Sequence, residues 1–245
     1  FPTMNCSICI LAPKMSEAGR HPNIELMTLT EVVNISGYVG NFNVTVKRKA
    51  RYVTEDCSAC SECSKACPQL SPNEFDIGLA TRGAIYIPFA QAVPSKYLID
   101  MESCLNRNGV RVCEKCVEAC ERKCIDFNAV DREEYFDVGT IVVCTGVDVF
   151  DAREIPQYLY GKAPNVITSL EFERLINAGG PTGGNLIRPS DGNIPKTVAF
   201  IQCIGSRSEK TNPYCSNVCC MNTIKDALLI KEHWPETEIK VFYID

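Results

Sequence analysis

The 245-residue chain is 45% hydrophobic with a formal net charge of −5, enough to bury a core in one or two domains and a poor match for a nucleic-acid surface. Sixteen cysteines against two histidines point instead to thiolate-bound metal in a reducing, cytoplasmic compartment. No run of eighteen apolar residues occurs, so no stretch reads as a membrane span.

The chain opens at Phe1-Pro2 and closes on the apolar Val241-Phe-Tyr-Ile244, so a segment of a longer protein is expected. Residues 1–20 carry Cys6-Ser-Ile-Cys9 and a helical pattern from Leu11 to Gly19. A lone C-x2-C suits a redox pair, half of a metal site or plain burial equally well. His21, beside Pro22, reads as a turn residue. From Ile24 to Val53 the pattern turns to period two. Strands are expected at 24–28, 31–36 and 42–48, in an antiparallel ribbon around Gly37 and Gly40. The basic residues Lys47, Arg48, Lys49 and Arg51 continue that alternation and read as a solvated strand face. Docking of an acidic carrier protein is the alternative.

Cys57-x2-Cys60-x2-Cys63-x3-Cys67-Pro68 is the four-cysteine run of a bacterial-type [4Fe-4S] ferredoxin. A short loop places three thiolates on one cubane, and the next turn carries the fourth away, with Pro68 keeping the backbone from folding back. In two-cluster domains that fourth cysteine serves the other cluster, so a second motif is expected. It follows as Cys104, Cys113, Cys116 and Cys120, with its first cysteine displaced by the insertion Asn106–Arg111. The spacing therefore assigns Cys57, Cys60, Cys63 and Cys120 to one cluster and Cys104, Cys113, Cys116 and Cys67 to the other. Cys124 is left over as a buried bystander. Structural zinc sites come as two C-x2-C pairs rather than a four-cysteine run ending in proline, and disulfide frameworks belong to small secreted domains. Between the motifs, Phe75–Asp100 centres on Ala84-Ile-Tyr-Ile-Pro-Phe-Ala-Gln-Ala-Val-Pro94, which suits an edge strand and a covering loop.

Residues 134–146 read as a buried strand ending in Thr145-Gly146, as in the closing strand of many flavoproteins with two dinucleotide-binding domains. There the backbone passes close to FAD and a side chain would block it. A helix is expected over 165–178, with Thr168 and Glu171 as a capping box and Leu170, Leu175 and Ile176 as its apolar face. Gly179–Gly184 lacks Gly-Lys-Ser/Thr and follows a helix, so it reads as a loop. Strand 197–201, helix 217–232 and strand 239–244 form a βαβ unit. Its first turn, Gln202–Arg207, holds one glycine where a dinucleotide fold needs three, so pyridine-nucleotide binding is not expected there. Cys203, Cys215, Cys219 and Cys220 gather at this strand–helix junction. Cys215 and Cys219 are spaced one helical turn apart, and a helix N-terminus favours thiolates. A third, atypical cluster is the preferred reading, with buried reduced thiols as its alternative. His233 reads as a cap for the helix end.

Taken together, Cys6-Ser-Ile-Cys9-Ile-Leu-Ala-Pro-Lys-Met, Gly19–Ile24, Ser36–Phe42, the ferredoxin run, Ala84–Pro94, Ala199–Arg207 and Tyr214–Met221 resemble the A-type, flavin-containing component of heterodisulfide reductase, found in methanogens and many anaerobes. The resemblance extends over essentially the whole chain. It implies an α/β fold: a partial, thioredoxin-reductase-like flavoprotein with two dinucleotide-binding domains and an inserted α+β two-cluster ferredoxin domain. On that pattern 1–53 is part of the FAD domain, 54–128 the inserted ferredoxin domain, 129–195 the return to the FAD domain, and 196–245 the start of a second nucleotide-binding-like domain. The resemblance implies an additional [4Fe-4S] cluster on Cys203, Cys215, Cys219 and Cys220, with Thr145 and Gly146 toward FAD. The activity it implies is flavin-based electron bifurcation. The partners it implies are B- and C-type heterodisulfide reductase subunits, an electron-input hydrogenase or formate dehydrogenase, and ferredoxin. The upstream glycine-rich FAD motif and a later ferredoxin domain are not in this sequence, and Asn106–Arg111 and Cys124 depart from the family pattern. No general acid or base stands out. The alternatives are a flavin-free multi-cluster carrier and another iron–sulfur flavoprotein, of sulfur metabolism or like the glutamate synthase small subunit.

Overall fold

The computed structural model describes residues 7–244. In chain order its elements are α1 (Ser7–Arg20), β1 (Thr30–Tyr38), β2 (Asn41–Arg48), α2 (Glu62–Ala66), β3 (Ser71–Pro72), β4 (Thr81–Arg82), β5 (Ile85–Tyr86) and β6 (Leu98–Ile99). They continue with α3 (Lys115–Glu118), β7 (Arg132–Val138), α4 (Ser169–Leu175), β8 (Thr197–Ile201), α5 (Cys219–His233) and β9 (Glu238–Phe242). The result is a mixed α/β chain in two compact units. Of the described residues, one takes Leu11–Phe75 and Thr81–Gly146; the other takes 7–10, Asp76–Ala80 and 147–244.

In the first unit, β1 and β2 form an antiparallel hairpin, and β7 pairs with the far edge of β2 to give the order β1-β2-β7. Gly37 and Gly40 make the turn possible, both with positive φ. At Gly37 a Cβ would stand 2.2 Å from the Asn41 carbonyl oxygen, so no other residue fits. A bulge at Val33 breaks the register of β1, and Val32, Val33, Ile35 and Tyr38 are exposed. The period-two pattern therefore marks strand without marking a buried face here; Val46 on β2 is the strand residue that reaches the core. Residues 24–28, expected as a strand, are irregular and pair with no strand. The basic run is neutralised locally: Lys47 pairs with Asp131 at 3.0 Å, Arg48 with Glu134 at 3.2 Å and Lys49 with Glu31 at 2.5 Å. Arg51 donates to the Thr28 hydroxyl at 2.6 Å.

The rest of this unit is short strands and turns around a core of Val53, Ile85, Tyr97, Ile99 and several cysteine side chains. Its irregular backbone is tied in by specific bonds. The Arg82 guanidinium, buried, is shared between Glu74 and Asp100 and lies 3.7 Å over the Tyr86 ring. The stretch 84–94 is a covering segment: Ala84 and Ile85 are buried and Phe89 stacks on Phe75.

The second unit is organised by β8 and β9, which run parallel with α5 as crossover, the βαβ arrangement expected. Thr168 and Glu171 form the capping box of α4 in both directions. The residues of α4 that face the core are Phe172 and Leu175, while Leu170 is exposed. Phe172 meets Phe200 of β8 edge-on, and Ile230 of α5 and Leu186 complete the cluster. Asp76, from the segment between the ferredoxin motifs, joins this unit through Arg174 of α4 at 2.7 Å.

Asp226 on α5 is 0% exposed. It accepts from Asn222 at 3.2 Å, and Lys225, itself paired with Glu173, lies 3.4 Å away. Burial, followed by the Glu173 carboxylate, pushes the Asp226 carboxyl up to about 7, with Lys225 opposing the rise. A carboxyl held above its unfolded value binds its proton more tightly in the folded chain, so stability falls as pH rises from about 4 through that value. Asp226→Asn should therefore raise the thermal midpoint at pH 8 and raise it less at pH 5. A midpoint lowered at both pH values in calorimetry would mean instead that ionised Asp226 is a net stabilising partner of Lys225.

Candidate metal centres

The first cysteine motif is wound by its backbone. Ala59 and Ser61 both adopt left-handed φ, at 57° and 70°, which curls the chain carrying Cys57 and Cys60 into α2, where Cys63 sits. Cys63 is buried, and the sulfurs whose charges act on it are those of Cys57, Cys120 and Cys60. Burial above all, then Cys57, raises the Cys63 thiol to about 12. The structure thus brings together the four residues that the spacing assigns to one group. Cys124 joins them, its Sγ 3.4 Å from Cys120 Sγ.

Cys67 leaves α2 in extended conformation and joins the other group. Burial, then Cys104, Cys113 and Cys67, acts on Cys116, whose thiol rises to about 11. Cys67, Cys104, Cys113 and Cys116 line one cavity, with Ile85, Ile99 and Phe127 as its apolar wall. Gly83 gives Cys67 its room: a Cβ there would lie 3.2 Å from the Cys67 Cβ and 3.4 Å from its sulfur.

The insertion between Cys104 and Cys113 is closed by one side chain. Asn106 is 2% exposed; its carboxamide oxygen accepts from the Val112 and Cys113 amides at 2.9 Å, and its amide nitrogen donates to the Cys113 carbonyl at 2.7 Å. Its own backbone N–H donates to Cys104 Sγ at 3.5 Å. Asn106 therefore pins Cys113 beside Cys104 while the loop bulges outward. Sequence reasoning placed Asn106 in the insertion and missed this role; an asparagine at the stem of an inserted loop was the available signal.

In the second unit Cys203, Cys215, Cys219 and Cys220 converge where β8 gives way to α5. Cys203, Cys215 and Cys219 all act electrostatically on Cys220, and the Cys203 backbone N–H points to Cys219. Burial works against the Cys219 thiolate, but the Ser216 hydroxyl and the Cys203 and Cys220 donors outweigh it and hold the thiol below its ordinary value. Cys215 does not lie one turn before Cys219 on a helix as expected. α5 starts at Cys219, and Asn217, with φ 60°, turns the chain ahead of it. Cys215 reaches the group from a loop, its sulfur accepting from the Asn217 amide at 3.3 Å.

Thr145 and Gly146 lie in irregular backbone: β7 ends at Val138, and Val142, Val143 and Val147 are exposed. The expected strand through Cys144 does not form, because β7 is fixed by its ladder to β2 and the residues beyond it meet no strand among those described. Gly146 has φ 84° but a Cβ there would touch nothing. These residues alone do not make a flavin cradle. His21 accepts from the Asn23 amide in an exposed turn, and His233 packs edge-on against Trp234 at the end of α5. Cys9 is exposed on α1, while Cys6 lies outside the described residues.

Among the described residues no three His, Cys, Asp or Glu side chains converge on one ion-sized point. A cubane's four ligands attach to four separate irons, so its thiols need not meet at one point. Thiol groups on ferredoxin-spaced cysteine motifs point to the class of iron–sulfur proteins. Within that class the chain belongs to the family of A-type heterodisulfide reductase subunits, aligning with it from end to end. It is 51% identical to the iron–sulfur A-type subunit of CoB–CoM heterodisulfide reductase from Methanocaldococcus jannaschii, over 100% of this chain and 37% of that relative. It is 50% identical to the corresponding subunit of the H2:CoB–CoM heterodisulfide, ferredoxin reductase of Methanothermobacter thermautotrophicus, with the same coverage. With the corresponding subunit of the ferredoxin:CoB–CoM heterodisulfide reductase of Methanosarcina mazei it shares 45% identity over 100% of this chain and 30% of the relative. The chain thus spans about a third of the length of these relatives, all named as reductase subunits. No family model matches it.

Two substitutions test the second thiol group. Asn106→Ala removes three buried hydrogen bonds and should cost about 2 kcal/mol of stability and lower iron retention at one site. Gly83→Ala, by pressing on Cys67, should lower iron retention with a smaller stability loss. Iron per chain and thermal midpoints measured on anaerobic samples check both. Full iron in each variant would show that the Cys67 group does not depend on these supports.

Proposed function

We propose that this chain is the electron-conducting part of an iron–sulfur flavoprotein of the heterodisulfide reductase type. Cys57, Cys60, Cys63 and Cys120 hold one [4Fe-4S] cluster, Cys67, Cys104, Cys113 and Cys116 a second, and Cys203, Cys215, Cys219 and Cys220 an atypical third. The observation that supports this reading is the exchange of Cys67 and Cys120 between the two motifs, which gives each group one thiol from the other motif and, Cys124 aside, four in all. Bound clusters supply one-electron transfer, at potentials tuned by hydrogen bonds and exposure. The residues of this chain do the rest: backbone amides and Asn106 fix the thiols, and Ile85, Ile99 and Phe127 keep water from the second group.

For the whole protein, the proposed activity is flavin-based electron bifurcation on a thioredoxin-reductase-like scaffold. FAD there would lie toward Thr145 and Gly146, with ferredoxin, B- and C-type subunits and a hydrogenase or formate dehydrogenase as partners in the cytoplasm. Relatives whose names couple H2 or formate to heterodisulfide and ferredoxin support it. The described helices include none long and apolar enough to cross a membrane. The irregular backbone at Thr145 and Gly146, where the expected strand does not form, favours a second reading, a flavin-free multi-cluster carrier.

Iron, sulfide and flavin content of the anaerobically purified protein test these readings. Three clusters predict about twelve irons with matching sulfide in this segment, and Cys219→Ser with Cys220→Ser should remove about four. About eight irons unchanged by the substitutions would leave the third group as thiols, zinc without sulfide would overturn electron transfer, and absent flavin absorbance would select the carrier reading.

A further inference from the structure

Around the first thiol group there are five cysteines for four corners. Cys124 is 5% exposed, and its hydrogen-bonding neighbours are the Cys120 and Cys57 thiols. Two sulfurs 3.4 Å apart cannot both be corners of one cubane, whose ligands radiate away from each other, so one of the pair is a ligand and the other its neighbour. Cys120 has the x3 spacing from Cys116, and, although burial opposes its thiolate, the backbone N–H groups around Arg122–Cys124 favour it and hold the thiol below its ordinary value. Those donors suit a thiolate bound to iron.

Cys124 is held in place from both sides. Lys123, at φ 52°, closes a turn by donating to the Cys120 carbonyl at 3.0 Å. The Cys124 carbonyl then accepts from Thr54 at 2.7 Å, and the Thr54 carbonyl in turn accepts from the Cys57 amide at 3.3 Å. Ile125 bridges Val53 directly after it. The Cys124 backbone is therefore fixed beside the first group, and its thiol is buried there.

We propose that Cys124 is a positioning residue of the first cluster, donating its S–H to the Cys120 ligand sulfur and so raising that cluster's reduction potential. This rests on the iron–sulfur reading given above. A thiolate on iron carries no proton, so in the 3.4 Å contact Cys124 must be the donor. A proton drawn toward a ligand sulfur withdraws charge from the cluster and favours its reduced form.

The test is an EPR-monitored redox titration of the cluster-loaded protein, wild type beside Cys124→Ala and Cys124→Ser. Cys124→Ala should keep its full iron and shift one midpoint, and only one, to more negative potential. Cys124→Ser, which keeps a hydroxyl donor, should recover most of that shift. Unmoved midpoints with full iron would overturn the proposal. Loss of about four irons in Cys124→Ala would overturn it as well, by making Cys124 the ligand. Wild-type protein without iron and sulfide would instead sink the underlying iron–sulfur reading, so the two failures are distinguishable.

Discussion

Each of the two thiol groups in the first unit includes a cysteine from the other motif. Cys67 is carried by the backbone that winds around Cys57, Cys60 and Cys63, yet it faces Cys104, Cys113 and Cys116. Cys120 follows the turn that holds Cys116 and returns to the first group. Neither loop can therefore adopt its shape alone. The rest of this unit serves that exchange: tiny strands, left-handed residues at Ala59, Ser61 and Lys123, and the shared core of Val53, Ile85, Tyr97 and Ile99. A unit with so little regular structure is held by specific short-range bonds in place of extended ladders. If metal binding contributes folding free energy, as it does in other thiolate sites, the thiols are part of that scaffold.

What could be read from the sequence was whatever depended on local chemistry. The Thr168–Glu171 capping box, the hairpin at Gly37–Gly40 and the βαβ unit each follow from residues close together in the chain, and the structure has all three. What was not legible depended on neighbours. Residues 24–28 and 139–144 have strand-like composition, but a strand exists only through pairing, and neither stretch meets a partner among the described residues. Leu170 fits a helical stripe, but the face that buries is chosen by Phe200 across from Phe172. The role of Asn106 was invisible for the same reason, because its three partners lie across a loop whose path no periodicity reports.

The cysteines illustrate how far local chemistry reaches. The spacing groups Cys120 with Cys57, Cys60 and Cys63, and in the structure the charges of Cys57, Cys120 and Cys60 act on Cys63. Cys215 was assigned to a helix by its offset from Cys219, but Asn217 breaks the chain between them, and the thiol arrives from a loop instead. The convergence at the β8–α5 junction thus has a different backbone origin from the one expected, and the amide donors around Cys215 and Cys219 come with it.

The Asn106 clamp also bears on how this region can change over time. Because one carboxamide ties the two ends of the inserted loop together, the residues between those ends are uncoupled from the sulfurs. Arg107–Gly109 forms a single 3-10 turn, and Val110 and Val112 are exposed beyond it. Residues can be gained or lost in that stretch at the modest entropic cost of a longer closed loop, while Cys104 and Cys113 stay where they are. The stem asparagine makes the interval between Cys104 and Cys113 a variable length, so spacing there is a poor guide to how the two thiols are placed.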